Sequence, residues 1–206
     1  PVLIVAGEAS GDLHASKLVA EFSSIAEGAR VFGVGGDRMR RAGVELLHHA
    51  DEFAVTGLVE VVAHIPRLRR AMRGLVEEAK ARDARLAILV DYPGFNLILA
   101  RRLKAVGIPV FYYISPQVWA WGERRVRSIA RDVDRMAVIL PFEQEFYRRH
   151  GVRVDFVGHP LLEEPALARA GAPKMLPGAA PLIGILPGSR PNELERHLPA
   201  MLGAAD

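Results

Sequence analysis

Apolar residues in this 206-residue chain come in short bursts separated by polar turns. Val2–Ala6 is unbroken apolar, which predicts a strand buried on both faces. Gly7–Asp12 (G-E-A-S-G-D) predicts a turn. Leu13–Ile25 predicts a helix, with Leu13, Leu18, Val19 and Phe22 on its apolar side. Val31–Val34 predicts a second strand, ended by Gly35 and Gly36. A short polar helix at Arg38–Ala42 and a third strand at Phe53–Val55 follow. Leu58–Ala79 repeats apolar residues at helical spacing, and Pro66 is expected to break it or to start a second helix. Further strands are predicted at Leu86–Val90, Val110–Ile114, Met136–Leu140 and Val154–Val157. The helices between them fall at Phe95–Val106, Glu123–Arg131 and Phe142–His150.

Alternating strands and helices joined by short loops predict an α/β fold, an open doubly wound parallel sheet, over residues 1–160. Residues 161–181 are rich in Ala, Pro and Gly and read as a linker. Residues 182–206 hold one more predicted strand (Leu182–Leu186), a loop (Pro187–Arg190) and a helix (Asn192–Leu202). One strand and one helix cannot bury their own apolar faces, so this tail reads as the start of an incomplete second domain.

Half of the residues are hydrophobic and a quarter charged, which excludes wholesale disorder. With no cysteine, thiol catalysis, thiolate zinc and disulfides are excluded. A formal charge of +3 is too small an excess to argue for nucleic acid. All basic residues except Lys17, Lys80, Lys104 and Lys174 are Arg, the side chain suited to forked binding of phosphate. The uncharged stretch Ala105–Gly122 is interrupted by Gly107, Pro109, Pro116 and Gln117, which argues against a spanning helix. No secretory signal is expected, so the expectation is a cytoplasmic protein, with possible contact to a membrane surface.

Ligands of open α/β sheets bind at the carboxyl ends of the strands. Residues following the predicted strands are therefore the candidates. After the first come Glu8, Ser10, Gly11 and Asp12; Ser10 or Asp12 could equally cap the Leu13 helix. After the fourth come Asp91 and Asn96. Asp91 could take a proton from an attacking hydroxyl, or could bind turn amides. Then come Gln117, Trp119 and Trp121, where the two Trp would align if extended and could pack in the core or stack on sugar. His159 follows a later strand. Gly188, Ser189 and Arg190 lie between a strand and a helix, a position that suits a phosphate, with a plain turn as the alternative. His48 and His49 read as a surface pair and not a metal site. In Gly33-Val34-Gly35-Gly36 the third glycine of a dinucleotide loop is replaced by Arg38, and no G-K-[ST], H-E-x-x-H or G-x-S-x-G motif occurs. The basic run Arg67–Arg73 reads either as a solvated face or as a helix resting on anionic lipid.

Eight segments occur in the order seen in lipid-A-disaccharide synthases: G-E-A-S-G-D, V-F-G-V-G-G-D-R-M, T-G-L-V-E-V-V-A-H-I-P-R-L, D-Y-P-G-F-N, Y-I-S-P-Q-V-W-A-W, L-P-F-E, V-G-H-P and L-P-G-S-R-x-x-E. The chain resembles that family from its first strand to near its last helix. The resemblance implies an inverting glycosyltransferase with a Rossmann-like N-terminal domain of the two-domain B type. It would move 2,3-diacylglucosamine from UDP-2,3-diacylglucosamine to the 6-hydroxyl of 2,3-diacylglucosamine 1-phosphate, without metal or other cofactor. It would act as a peripheral protein on the cytoplasmic face of the inner membrane, touching it through Leu58–Val76. In the family the proposed base is often three residues after the Asp of D-x-P. Here that residue is Gly94, so Asp91 becomes the candidate, with Glu8 or Asp12 as fallbacks. Arg190 matches the arginine that would hold the donor diphosphate, and Ser10, Gly11 and Asn96 match positions lining the cleft. Family members are roughly twice as long, which implies an acceptor-side portion here, with a homo-oligomer or second polypeptide completing the donor site. The competing readings are a UDP-sugar epimerase of similar fold and a non-catalytic binding or assembly module.

Overall fold

A computed structural model describes residues 1–53, 58–122, 125–163, 183–188 and 191–205. The chain divides into two compact units, Pro1–Glu164 and Pro165–Asp206.

In the first unit the strands are β1 (Val2–Ala6), β2 (Val31–Gly35), β3 (Glu45–His49), β4 (Leu86–Val90), β5 (Val110–Tyr113), β6 (Arg135–Val138) and β7 (Val154–Phe156). They form one parallel sheet in the order β3-β2-β1-β4-β5-β6-β7. The helices are α1 (Ala9–Ile25), α2 (Asp37–Arg41), α3 (Leu58–Ala81), α4 (Pro93–Ala105), α5 (Val118–Trp121), α6 (Val126–Asp132) and α7 (Pro141–Arg149). Alternate residues of each strand enter opposite cores. Leu3, Val5, Leu89, Tyr112 and Met136 pack with α3, α4, α6 and α7. Ile4, Ala6, Ile88 and Val90 pack with α1 and α2. The chain order reverses between β1 and β4, and this switch point opens the crevice where doubly wound sheets hold ligands.

Several expectations change. The third strand is Glu45–His49, and Phe53 instead closes a 3-10 turn at Ala50–Glu52; residues 54 and 55 lie outside the described residues. This edge strand carries Glu and two His, so it lacks the continuous apolar run of its neighbours. α3 runs through Pro66 as one helix. Pro66 is exposed, so the carbonyl freed by its missing N–H can be hydrated. α1 starts at Ala9, which places Ser10, Gly11 and Asp12 inside the helix and leaves neither Ser10 nor Asp12 as its cap. Trp119 and Trp121 fall in a helical turn, so the extended spacing that would align them is absent.

The Leu58–Val76 stretch is also not one membrane face. From Leu68 onward its apolar side is core: Met72 is 4% and Leu75 1% exposed, and Leu68 and Val76 pack against the same cluster. Ile65, Arg67, Arg69, Arg70 and Arg73 remain on the exposed side.

In the second unit, residues 183–188 form no strand, and helix α8 spans Pro191–Ala205. A strand needs a neighbour to receive its amides, and the described residues of this unit supply none.

Candidate active site at the strand carboxyl ends

β1 and β4 are paired with Ala6 opposite Val90, so the loops that follow lie side by side. A Cβ on Gly7 would sit 2.5 Å from the Tyr92 ring, so only glycine lets that ring lie across the end of β1. Asp91 and Tyr92 both adopt left-handed backbone, with φ of 46° and 49°. Such a conformation costs a non-glycine residue about 1–2 kcal/mol and persists only where neighbours enforce it. The neighbours are visible here. The Asp91 amide donates to the Tyr113 carbonyl at 2.9 Å. The Asp91 carbonyl accepts from the Tyr112 hydroxyl at 2.6 Å and from Asn96 Nδ2 at 2.8 Å. The Tyr92 hydroxyl donates to the Phe53 carbonyl at 3.0 Å. Burial first, and then the Asp91 carboxylate, push the Tyr112 hydroxyl well up, so it stays a donor. Burial and then the Glu8 carboxylate also raise Tyr92. Glu8, Asp91 and Tyr92 thus share one electrostatic neighbourhood, with Asp91 half-buried at the crevice.

Asn96 is fully buried at the same point. Its Nδ2 also donates to the Val90 carbonyl at 3.2 Å, while its Oδ1 finds no partner among the described residues. It ties the end of β4 to α4 and does not line an open cleft. Gly11 lets α1 approach the sheet, since a Cβ there would stand 3.3 Å from that of Ala6. Ser10 is exposed on the first turn of α1. Asp12 is buried and committed: Oδ1 accepts from the amides of Gly36 at 2.7 Å and Met39 at 3.0 Å, and Oδ2 from Arg38 at 3.2 Å. It caps α2 from a distance.

A second cluster stands at the ends of β5 and β6. Glu143, 2% exposed, accepts from Ser115 Oγ at 2.7 Å, Trp119 Nε1 at 3.2 Å and the Leu140 amide at 3.0 Å. Trp119 is thereby anchored by its nitrogen while its ring stays 38% exposed, edge-on to the exposed Phe142 at 4.9 Å. Gln117 is exposed just before α5. His159 Nδ1 accepts from the Leu161 amide at 3.2 Å, which caps the 3-10 turn Pro160–Glu163. In the second unit Gly188 is left-handed, with φ of 105°, and Nδ1 of His197 lies 3.2 Å from the Pro187 carbonyl. Ser189 and Arg190 lie outside the described residues, as does any geometry relating Arg190 to Asp91. Tyr112 escaped the sequence reading, and Glu143 entered it only as a position after a predicted strand and the last residue of L-P-F-E, with no role assigned. Tyr112 sits in an apolar strand and reads as core, because nothing in the pattern reveals where a hydroxyl ends.

Residues 2–206 match the family model described as Lipid-A-disaccharide synthetase. The chain belongs to the lipid-A-disaccharide synthase family. It is 51% identical over 208 residues to the lipid-A-disaccharide synthase of Anaeromyxobacter sp. (strain K), covering 100% of this chain and 54% of that protein. It is 50% identical to that of Myxococcus xanthus (strain DK1622) and 49% to that of Geobacter sulfurreducens, each covering 99% of this chain and 54% of the relative. The chain therefore spans about half the length of the curated relatives it matches. At the synthase position three residues after Asp91, Gly94 is exposed in the first turn of α4, and a Cβ there would meet open space.

Proposed function

We propose that this chain is the acceptor-side portion of an enzyme that joins two acylated glucosamines into the lipid A disaccharide. The supporting observation is the enforced left-handed turn at Asp91–Tyr92, placed at the sheet's switch point in a chain whose residues 2–206 match the synthase family model.

In this reading the Asp91 carboxylate accepts the proton of the 6-hydroxyl of 2,3-diacylglucosamine 1-phosphate. The freed oxygen attacks the anomeric carbon of UDP-2,3-diacylglucosamine from the face opposite the diphosphate. The new C–O bond forms, the bond to UDP breaks with its electron pair leaving on phosphate, and the configuration inverts. Tyr112 and Asn96 fix the backbone that carries Asp91, and the half-exposed Trp119 offers a flat face to a sugar. Gly188, Ser189 and Arg190 hold the diphosphate as the first contact loop of a nucleotide-sugar-binding domain completed by residues beyond this chain. The protein meets the cytoplasmic face of the inner membrane through Ile65 and the exposed Arg67, Arg69, Arg70 and Arg73, each cation contributing about 1 kcal/mol near an anionic surface. Among the described residues no helix is long and apolar enough to cross a membrane.

The test is Asp91→Asn in the enzyme carrying both halves. Loss of its base lowers kcat about 10²–10⁴-fold with the acceptor KM little changed. A near-normal rate transfers the role to Glu8, the carboxylate that shares its neighbourhood.

A further inference from the structure

We propose that Glu143 is a positioning residue for sugar binding: one oxygen of its carboxylate holds Trp119 as a flat wall for the acceptor sugar, while the other caps α7. This deepens the proposed transfer and rests on it for the identity of the sugar.

The carboxylate divides its two oxygens between two tasks. Glu143 is 2% exposed, a depth at which a carboxylate is costly unless its oxygens are answered. Oε2 accepts the Leu140 amide at 3.0 Å, at the start of α7. That bond by itself is a helix cap. Oε1 reaches the segment after β5, where it accepts Ser115 Oγ at 2.7 Å and Trp119 Nε1 at 3.2 Å. A cap needs neither of these contacts.

The segment so held is strained. Ile114 has left-handed backbone, with φ of 65°, which a β-branched residue adopts only where neighbours enforce it. The Ile114 amide donates to the Ala137 carbonyl at 3.1 Å, and the Tyr147 hydroxyl donates to the Pro116 carbonyl at 2.6 Å. Burial pushes the Tyr147 hydroxyl up, so it stays a donor. α7 thus clamps this segment at Ser115, Pro116 and Trp119. The result is an indole whose nitrogen is tied to a buried carboxylate and whose ring stays 38% exposed. Phe142, 51% exposed, stands 4.9 Å away at 87°, so two flat surfaces meet near a right angle. The apolar C–H face of a pyranose packs on such a wall. Core packing would put an apolar residue at position 143 and bury the ring; here a buried carboxylate keeps an exposed ring still.

The wall is joined to the candidate base. The Asp91 amide donates to the Tyr113 carbonyl at 2.9 Å, one residue before Ile114. The turn that carries Asp91 and the turn that leads to Trp119 are therefore fixed to each other through β5.

Steady-state kinetics of the enzyme carrying both halves test this. Glu143→Leu removes both acceptor oxygens and raises the acceptor KM about tenfold, with kcat held within about twofold because Asp91 is untouched. Glu143→Gln keeps an oxygen for Ser115 and Trp119 but turns an amide nitrogen to the Leu140 amide, so it loses the cap and rescues the KM. Trp119→Leu raises the KM as much as Glu143→Leu does, and the two combined raise it no further, because Glu143 acts through Trp119. Trp119→Phe keeps a flat ring and removes the N–H; it raises the KM about threefold and decides the matter where Glu143→Leu does not fold. A second readout needs no transfer. In the 206-residue chain the Trp119 indole N–H, identified by its loss in Trp119→Phe, exchanges slowly with solvent, and Glu143→Leu but not Glu143→Gln speeds that exchange. Additive KM rises in the double variant, equal rises for the Gln and Leu variants, an unchanged KM in Trp119→Phe, or rapid indole exchange in the unsubstituted chain overturns the proposal. Asp91→Asn reads kcat and these variants read KM and indole exchange, so the base and the positioning role fail separately.

Discussion

Asp12, in the first turn of α1, and Asp91, on the turn after β4, carry the same carboxyl group, and the fold uses them differently. Asp12 accepts three backbone amides from the start of α2 and is buried among them. Asp91 is half-buried on a strained turn whose backbone carbonyl is clamped by Tyr112 and Asn96. Asp12→Ala should cost about 2–3 kcal/mol in urea unfolding, because three amides lose their acceptor. An unchanged midpoint would show that the cap is not needed for stability. Glu52 gives a pH signature. The His49 amide first, and then Arg67, hold its carboxyl below its ordinary value of 4.5. The unfolded chain therefore binds more protons than the folded one in that range. The stability Glu52 contributes is complete above about pH 4.5 and is lost as the pH falls through its lower folded value. Thermal midpoints measured from pH 6 downward should fall less steeply in Glu52→Gln than in the unsubstituted chain; identical slopes would remove Glu52 from the balance.

At the scale of the element, α3 shows how periodicity alone misleads. Its 3.6-residue apolar stripe was legible, yet a stripe cannot say whether protein or lipid covers it. From Leu68 onward protein covers it. Met72→Ser should therefore destabilise folding by about 2–4 kcal/mol through a cavity and a buried hydroxyl. Ile65→Ser combined with Arg69→Gln should leave unfolding nearly unchanged and weaken binding to anionic vesicles in a flotation assay. The reverse pattern would place the lipid-facing side elsewhere. β3 shows the complementary failure. Edge strands bury one face partially, so Glu45–His49 carries no apolar run, whereas the doubly buried β1 and β4 declared themselves as Val2–Ala6 and Leu86–Val90.

For the whole molecule, the proposed chemistry divides between two units, with the candidate base in the first and the diphosphate loop in the second. The 206-residue chain alone should then transfer no sugar, and adding the separately expressed remainder of a relative's donor domain should restore turnover. Robust turnover by the chain alone would place both functions within these residues. The α/β class, the positions of six of the sheet's strands and the family membership were all readable along the chain, because the inner strands carry apolar runs, the edge strand β7 is still marked by Val154 and Phe156, and the motif segments occur in a fixed order. Which carboxylate is committed to capping and which stands at the crevice was not readable. Neither was the hydroxyl of Tyr112 under the Asp91 carbonyl. Those depend on where strands distant in sequence come to lie beside one another, and a one-dimensional pattern holds no record of that distance.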